Sequence, residues 1–178
     1  VIGYLSLIKG SDLAPRIAKI FKDKYGVTNF NITFYGGLDS TGSNFMANII
    51  RSDALKLGVL DHIRFKPMEY SSKSFFEEMD ALLMISREES FSLTTLEAVF
   101  ANTPVALFSD IGGPDEILNM DEAFFSPYMN LNSIAENLFK IYTDYQEAIN
   151  RIRRAKNRLL SSPENTVGDY NNILKIYT

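Results

Sequence analysis

Over residues 1–128, short apolar runs alternate with longer stretches in which apolar residues recur at helical spacing. The runs are apolar throughout, which is typical of strands that are covered on both faces of a parallel sheet. The predicted strands are residues 1–5, 32–35, 63–65, 81–85, 105–108 and 124–125. Strands and helices that alternate with short connections predict an α/β fold with a parallel, doubly wound sheet and helices on both faces.

Polar caps and glycines mark the ends of the predicted helices. Ser11 or Asp12 is expected to cap the first helix, and Gly26 is expected to end it. Further helices are predicted to begin at about Ser43, at Ser74, at about Leu93 and at Asp115. From residue 131 onward the apolar spacing is helical to the last residue.

No internal repeat or low-complexity linker divides the chain, so we predict a single domain over residues 1–178. Its parts would be a core at about 1–128 and C-terminal helices at about 131–178. The first residue is Val1, which already lies in a strand-like run. We therefore expect the chain to begin inside a longer protein.

Composition excludes several kinds of chemistry. The 178 residues include no cysteine, so disulfides, thiolate nucleophiles and cysteine-based metal sites are excluded. His62 is the only histidine, it lies next to a predicted strand, and we interpret it as an ordinary loop residue. The net charge of −4 disfavours nucleic acid as a partner. No apolar run approaches the ~20 residues that a membrane-spanning helix needs.

In sheets of this kind, ligands bind beyond the carboxyl ends of the strands. One loop there, 36–43, is rich in glycine, but Ser43 stands where a phosphate-binding Walker loop has its lysine. The glycines either allow tight turns without steric strain or let the backbone of this loop lie close to a ligand. Lys9 follows the first predicted strand, where it is either a solvated charge or a cation for a phosphate.

The segment from Glu89 to Ala98 carries the most information about function. Glu89 lies in the loop after a strand, and Glu97 lies about one turn inside the next predicted helix. The backbone amides at the predicted start of that helix, which favours anions, are those of Phe91, Ser92 and Leu93. Carboxylates can accept hydrogen bonds from sugar hydroxyls, so this arrangement is suited to a nucleotide sugar. On spacing alone, it is an equal alternative that Glu89 is a solvated loop charge and Glu97 a surface residue of the helix, with no ligand between them.

Several motifs in order resemble family 4 glycosyltransferases of the GT-B fold. The family pattern is Glu-Gly-Phe-Gly-Leu, then Glu-Ala after three residues, then Gly-x-Pro-Val, then Gly-Gly-x-x-Glu. The matching segments here are Glu89-Ser90-Phe91-Ser92-Leu93, Glu97-Ala98, Thr103-Pro104-Val105 and Gly112-Gly113 with Glu116. Gly3-x-Leu5 with Lys9-Gly10 is similar to the opening of the same half of these enzymes. The resemblance covers about residues 1–120.

The resemblance implies a Rossmann-like, donor-binding C-terminal half of a two-domain enzyme, with the N-terminal acceptor domain absent from this chain. Glu97 would bind the ribose hydroxyls, Glu89 would position the donor sugar, and Lys9 would neutralise the diphosphate leaving group. The amides of Phe91, Ser92 and Leu93 would contact the diphosphate or the sugar. The base would lie near Pro67 and Met68. Such enzymes transfer the sugar with retention of configuration and without a metal or other cofactor.

The sequence departs from the family pattern at several positions. Tyr4 stands where the family usually has an arginine, and a neutral phenol cannot replace that cation. Arg87 is the candidate to replace it. Ser90 and Ser92 replace glycines, and their side chains are expected to narrow the approach to the loop. Asn102 replaces a glycine after the helix, which is mild because asparagine tolerates left-handed backbone. Lys66 and Pro67 replace the usual x-Gly at the expected base contact.

The resemblance implies a hexosyltransferase-type enzyme that uses a donor such as a UDP- or GDP-sugar. Its acceptor would be a glycan or lipid-linked glycan in polysaccharide biosynthesis, and the isolated domain is expected to be inactive. We expect a cytoplasmic location, or one peripheral to the inner face of the membrane. One alternative is a non-catalytic nucleotide-sugar-binding or partner module. Another is a glycosidase, which also uses paired carboxylates, although amides at a helix start suit a phosphate better than a neutral glycan. A basic run from Arg151 to Arg158 is interpreted as a solvated helix face rather than as a site for a membrane or a sugar-phosphate acceptor.

Overall fold

A computed structural model describes residues 1–37, 44–67 and 74–161. Three groups of sequence predictions lie outside the described residues. They concern loop 38–43, Met68 in the segment 68–73, and the last helical stretch after residue 161.

The described residues form five strands in two parallel groups. They are β1 (Ile32–Tyr35), β2 (Ile63–Lys66), β3 (Leu82–Met84), β4 (Val105–Phe108) and β5 (Phe124–Ser126). β1 pairs with β2, and β4 lies between β3 and β5. Because all pairings are parallel, the carboxyl ends of the strands in each group lie at one edge. Every residue of β3 and β4 is buried, as the uninterrupted apolar runs predicted.

The first predicted strand, 1–5, is wrong as a regular element. Ile2 makes one isolated parallel bridge to Tyr35, with hydrogen bonds from the Tyr35 N–H to Val1 and from the Gly3 N–H to Tyr35. Gly3 then adopts a φ of 110°, a conformation that ends extended pairing. The expected single sheet is therefore hydrogen-bonded in two parts. Val1 and Ile2 line a cleft with β3, so the first residues lie between the two strand groups.

Seven α-helices connect and cover the strands among the described residues. They are α1 (Ala14–Tyr25), α2 (Phe45–Lys56), α3 (Ser74–Glu77), α4 (Leu93–Ala101), α5 (Gly113–Ile117), α6 (Leu131–Thr143) and α7 (Tyr145–Ser161). Short 3₁₀ turns occupy Ser11–Leu13 and Leu60–His62. α1 packs against α2 and α6, and α6 packs on β4 and β5. α4 packs against α3, α5 and α7 and also contacts β4.

Local sequence explains several helix ends. Gly26 ends α1 in the left-handed conformation, with φ 67°. Asn102 ends α4 in the same left-handed conformation, with φ 58°, so asparagine is accommodated here in place of the family's glycine, as expected. The Asn44 side chain caps α2 by accepting a hydrogen bond from the Met46 N–H. The predicted cap of α1 is wrong, because its N-cap residue is Leu13 and no side chain caps it.

His62 differs from the expected loop residue. It is buried, its Nδ1 lies 3.0 Å from the Phe30 carbonyl oxygen, and its ring stacks on Phe30 at 4.2 Å between centroids. Its role is therefore structural packing.

The basic run of α7 is largely engaged with the chain. Arg158 holds the Glu122 carboxylate, at 2.6 and 2.7 Å, and donates to the Ile117 carbonyl. Lys156 donates to the Phe100 carbonyl at the end of α4, and Arg151 pairs with Glu147. The contacts of Arg158 and Lys156 dock α7 on the core, whereas the Arg151–Glu147 pair lies within α7. No helix in the described ranges has the length and apolar character to cross a bilayer.

Candidate functional site

The loops that follow β3 and β4 are joined to each other beyond the strand ends. The Glu89 N–H donates to the Ile111 carbonyl at 2.7 Å, and the Gly113 N–H donates to the Glu89 carbonyl at 3.1 Å. The Asp115 carboxylate accepts the N–H groups of Asp110, Ile111 and Gly112. The backbone around Glu89 is thus held by the next loop along the sheet.

The paired glycines make this close contact possible. A Cβ at Gly112 would lie 2.2 Å from the Glu89 carbonyl oxygen, and one at Gly113 would lie 1.9 Å from that of Ser90. Both distances are far shorter than any real contact of a Cβ atom. The Gly-Gly motif therefore has a direct physical function, which is to let the Glu89 loop lie against α5.

The Glu89 side chain faces a cation. Its Oε2 lies 2.5 Å from Lys9 Nζ and 3.2 Å from Ser86 Oγ, which donates to it. The Glu89 side chain is only 10% exposed and that of Lys9 is 32% exposed. Both line the cleft between the first residues and β3. The structure therefore brings these two predicted catalytic residues together, and neither is the solvated charge that spacing alone left open.

The Lys9 loop is held against the loop after β3. Gly10 is left-handed, with φ 65°, and a Cβ there would lie 1.8 Å from the Ile85 carbonyl oxygen. The Arg87 N–H donates to the Ile8 carbonyl at 2.7 Å. The Arg87 guanidinium pairs with Asp12 at 2.8 and 2.9 Å and also donates to the Leu7 carbonyl. Arg87 is thus a neutralised residue that joins two loops.

The start of α4 lies over the carboxyl end of β3. Ser92 is the N-cap, and its Oγ accepts the Thr95 N–H at 3.2 Å and the Thr95 hydroxyl at 2.8 Å. The Ser92 hydroxyl in turn donates to Met84 Sδ, and Thr95 Oγ1 lies 3.4 Å from the same sulfur. Ser92 is therefore buried with an inward side chain, and the expectation that this side chain narrows the approach is wrong.

The three predicted amides at this helix start differ in their surroundings. The Leu93 N–H donates to the Phe91 carbonyl at 3.2 Å. The Ser92 N–H has no hydrogen-bond partner in the described part of the chain. The Phe91 and Leu93 side chains are about half exposed, at 47% and 53%. This edge of the site therefore presents two apolar side chains beside the Ser92 N–H, a backbone donor that no other described residue uses.

Glu97 lies in α4, one turn after its start, and is half-buried. Its carboxylate has no hydrogen-bond or ion-pair partner among the described residues. Burial disfavours its charged form and raises its pKa above the ordinary 4.5. A partly buried carboxylate without a partner costs stability, and such groups concentrate at functional sites.

The remaining predicted residues lie around this centre. Pro67 is exposed directly after β2, and Lys66 pairs with Glu78 at 2.9 Å. The Gly36 N–H donates to the Lys66 carbonyl, so the loops after β1 and β2 also meet. Tyr4 is 70% exposed. The proposed base contact at Met68 lies outside the described residues.

Sequence reasoning missed three residues that shape the site, namely Asp12, Ser86 and Asp115. Asp12 is separated by 75 residues from the Arg87 that it pairs with, so no local pattern could reveal it. Asp115 was assigned only as the start of a short helix, although an acid three residues after Gly112 is a recognisable cap for exposed amides.

The profile of a family described as glycosyl transferases group 1 matches residues 1–158. No curated protein matches the chain. Among solved structures, S. aureus TarM superimposes with a TM-score of 0.77 at 16% identity. The TarM in that structure is a point mutant in complex with fondaparinux, alpha-GlcNAc-glycerol and UDP. That alignment covers 99% of this chain and 34% of TarM.

Two other solved structures agree in fold. Anabaena Alr3699/HepE in complex with UDP-glucose gives a TM-score of 0.73 at 17% identity, covering 88% of this chain and 42% of that protein. The C-terminal domain of LpcC, a glycosyl transferase group 1 family protein of Francisella tularensis, gives a TM-score of 0.73 at 17% identity. That alignment covers 90% of this chain and 83% of the LpcC domain. The architecture therefore matches half of a GT-B glycosyltransferase, and the chain spans well under half of the first two proteins.

Proposed function

The chain belongs to the group 1 glycosyltransferases, and from that we propose that it is the half of such an enzyme that binds a nucleotide-sugar donor. The observation that carries the proposal is the placement of Lys9, Glu89 and Glu97. An ion pair lies at the carboxyl end of β3. One turn into the helix that follows lies a carboxylate with no partner among the described residues. A cation for phosphates beside acceptors for hydroxyls matches the chemistry of a nucleotide sugar.

Glu97 would accept hydrogen bonds from the ribose hydroxyls. Its lack of a partner in the described residues supports this role, because a ligand would supply the missing donors. Each hydrogen bond to a charged group is worth about 1.5–3 kcal/mol, which is enough to offset the cost of its partial burial.

Lys9 and Glu89 would change partners when the donor binds. In the free chain each neutralises the other at 2.5 Å. A diphosphate carries more negative charge than one carboxylate, so it would attract the Lys9 ammonium and release Glu89 toward the donor sugar. Catalysis would then consist of stabilising the leaving diphosphate and positioning the sugar. The amides of Phe91, Ser92 and Leu93 would lie along the same ligand, and Pro67 and Met68 near its base.

The finer assignments complete the proposal. The enzyme would be a family 4, retaining hexosyltransferase that needs no metal or other cofactor, and the chain would be its C-terminal domain. Its acceptor would be a glycan or lipid-linked glycan in polysaccharide biosynthesis, held by an N-terminal domain. The likeness to the isolated C-terminal domain of LpcC supports the division into halves. The protein would act in the cytoplasm or at the inner face of the membrane, and this half alone would transfer nothing.

Tyr4 supports a second candidate, a nucleotide-sugar-binding module without catalysis. It is an exposed phenol where the family usually has a cation for the diphosphate. The two candidates differ in one measurement on the full-length protein. Sugar transfer that is lost in Glu89→Ala supports the enzyme, and an absence of transfer in the parent with retained donor binding supports the module.

A thermal-shift screen of this chain with UDP, GDP and ADP tests donor binding. A nucleotide at 100 times its Kd stabilises a protein by about 2.7 kcal/mol, which for a domain of this size raises Tm by roughly 5–10 °C. We expect one base to give such a shift and the matching monophosphate to give less. No shift with any diphosphate at millimolar concentration would contradict the proposal.

A further inference from the structure

The Arg87 guanidinium is committed to groups of the chain itself. Its two terminal nitrogens face the two carboxylate oxygens of Asp12 at 2.8 and 2.9 Å, and one of them also donates to the Leu7 carbonyl. The side chains of Arg87 and Asp12 are 29% and 22% exposed. The hydrogen bonds to Asp12 raise the pKa of Arg87 further. A forked, charge-balanced pair of this kind fixes geometry as well as charge.

The same residue also holds the loop through its backbone. The Arg87 N–H donates to the Ile8 carbonyl at 2.7 Å, so Arg87 holds the carbonyls of the two residues that precede Lys9. On the other side of Lys9, Gly10 lies directly against the Ile85 carbonyl. The Lys9 N–H donates to Ser6 Oγ at 3.2 Å. Lys9 is therefore the centre of a loop that is fastened to the segment carrying Glu89.

We propose that Arg87 and Asp12 form a clamp that positions Lys9 for the diphosphate, so that Arg87 is a positioning residue and does not contact the ligand. This inference rests on the proposed function. It replaces the expectation that Arg87 substitutes for the missing family arginine as a direct phosphate ligand. The distinction has a physical basis, because an arginine that is neutralised by a fork to a carboxylate has little charge left to offer an anion.

The two roles predict opposite results for one substitution. If Arg87 positions Lys9, Asp12→Asn loosens the clamp and weakens binding of UDP or of whichever diphosphate the chain prefers. If Arg87 contacts the diphosphate, Asp12→Asn releases its charge and leaves binding unchanged or makes it tighter. Loss of a charged hydrogen-bonded pair corresponds to about a tenfold change in Kd, which isothermal titration calorimetry resolves.

A double-mutant cycle with Lys9→Met shows whether the clamp acts through Lys9. We expect Arg87→Gln and Asp12→Asn each to raise Kd about tenfold in the parent and to have no further effect in the Lys9→Met background. A merely structural pair would give additive losses in both backgrounds. Arg154→Gln is the matched control, since Arg154 pairs with Glu147 on α7, away from this loop, and its removal should leave Kd unchanged.

Chemical labelling of Lys9 tests the clamp without any nucleotide. Acylation of lysines, mapped by peptide mass spectrometry, should be slow at Lys9 in the parent because its ammonium is paired with Glu89. We expect the rate to rise several-fold in Asp12→Asn and to stay constant in Arg154→Gln. If the parent binds no diphosphate, the proposed function fails, and labelling alone then decides the clamp. Equal labelling of Lys9 in the parent and in Asp12→Asn would overturn the clamp, and so would unchanged or tighter nucleotide binding by that variant.

Discussion

Glu97 is expected to weaken the fold and strengthen ligand binding at the same time. Burial raises its pKa, so the native state binds a proton at this carboxyl more tightly than the unfolded chain does. Its ionisation therefore opposes folding increasingly as the pH rises through and above the ordinary value of 4.5. Glu97→Gln removes that charge. We expect it to stabilise the free chain at pH 7 by about 0.5–2 kcal/mol, and to give no gain at pH 4 or below.

The same substitution should weaken nucleotide binding. Replacing a charged acceptor of the ribose hydroxyls by an amide costs about 1.5–3 kcal/mol, which is roughly 10- to 150-fold in Kd. Urea unfolding at pH 7 and pH 4 measures the stability, and titration calorimetry with the preferred diphosphate measures the binding. Glu88→Gln is the control, because Glu88 is an exposed acid in the neighbouring loop and its removal makes the same change in net charge. Equal Kd values for Glu97→Gln and the parent would refute the ribose assignment, and a loss of stability at pH 7 would refute the electrostatic reasoning.

Three further predictions concern the docking of α7, the glycine contact and the absence of a metal. For Glu122, burial raises the pKa, but the hydrogen bonds from Arg158 and from the Asn119 N–H outweigh burial, so the pKa is lowered overall. The ionised Glu122 therefore stabilises the fold fully above pH 4.5, and this contribution is lost as the pH falls below that value. Arg158→Met should therefore destabilise the chain by about 3 kcal/mol in urea unfolding at pH 7, and the difference should shrink in acid. Gly113→Ala should displace the Glu89 loop and abolish measurable nucleotide binding. The control is Gly58→Ala, whose Cβ would meet no atom within 4 Å, and it should lower stability without changing binding. Retained binding in Gly113→Ala would refute the close-contact argument. EDTA should leave Kd for the diphosphate unchanged, and a loss restored by Mg²⁺ would contradict the proposed metal-free binding.

The strands and helices could be predicted from the sequence where their apolar residues form the buried face of the element. The runs at β1 and β4 and the helix α4 have the predicted bounds, because apolar periodicity and end signals agree there. The first segment shows the limit of this reasoning. Its apolar residues indicated a strand, but the conformation of Gly3 leaves it only one bridge to β1. Hydrophobicity reports burial, and it does not report whether the backbone stays extended.

For the site, the sequence indicated which loops would meet but not how side chains would pair within them. Parallel topology places the loops after β3 and β4 together, and the Glu89 and Gly112 contacts agree with that. The pairing of Lys9 with Glu89, of Arg87 with Asp12, and of Ser92 with Thr95 depends on distances across the fold. The role proposed above for Arg87 differs from the expected one for this reason, since its partner Asp12 lies 75 residues away in the sequence.

The net charge of −4 makes this pairing relevant to ligand binding. An anionic ligand approaches a protein of its own sign, so any attraction must come from a few nearby cations and backbone dipoles. The described site holds Lys9 in an ion pair and Arg87 in another. Binding a diphosphate must therefore compete with Glu89 for Lys9, and we expect affinity to fall with increasing salt.

A titration of the ¹⁵N-labelled chain with its preferred nucleoside diphosphate, followed by NMR, tests the central claim most directly. The account predicts that the largest shift changes cluster at Lys9 and Gly10, at residues 89–93 and at Glu97, while α7 stays unchanged. It also predicts that the changes saturate with one ligand per chain. Changes confined to other surfaces, or none at millimolar ligand, would contradict the assignment of this edge of the sheet as the donor site.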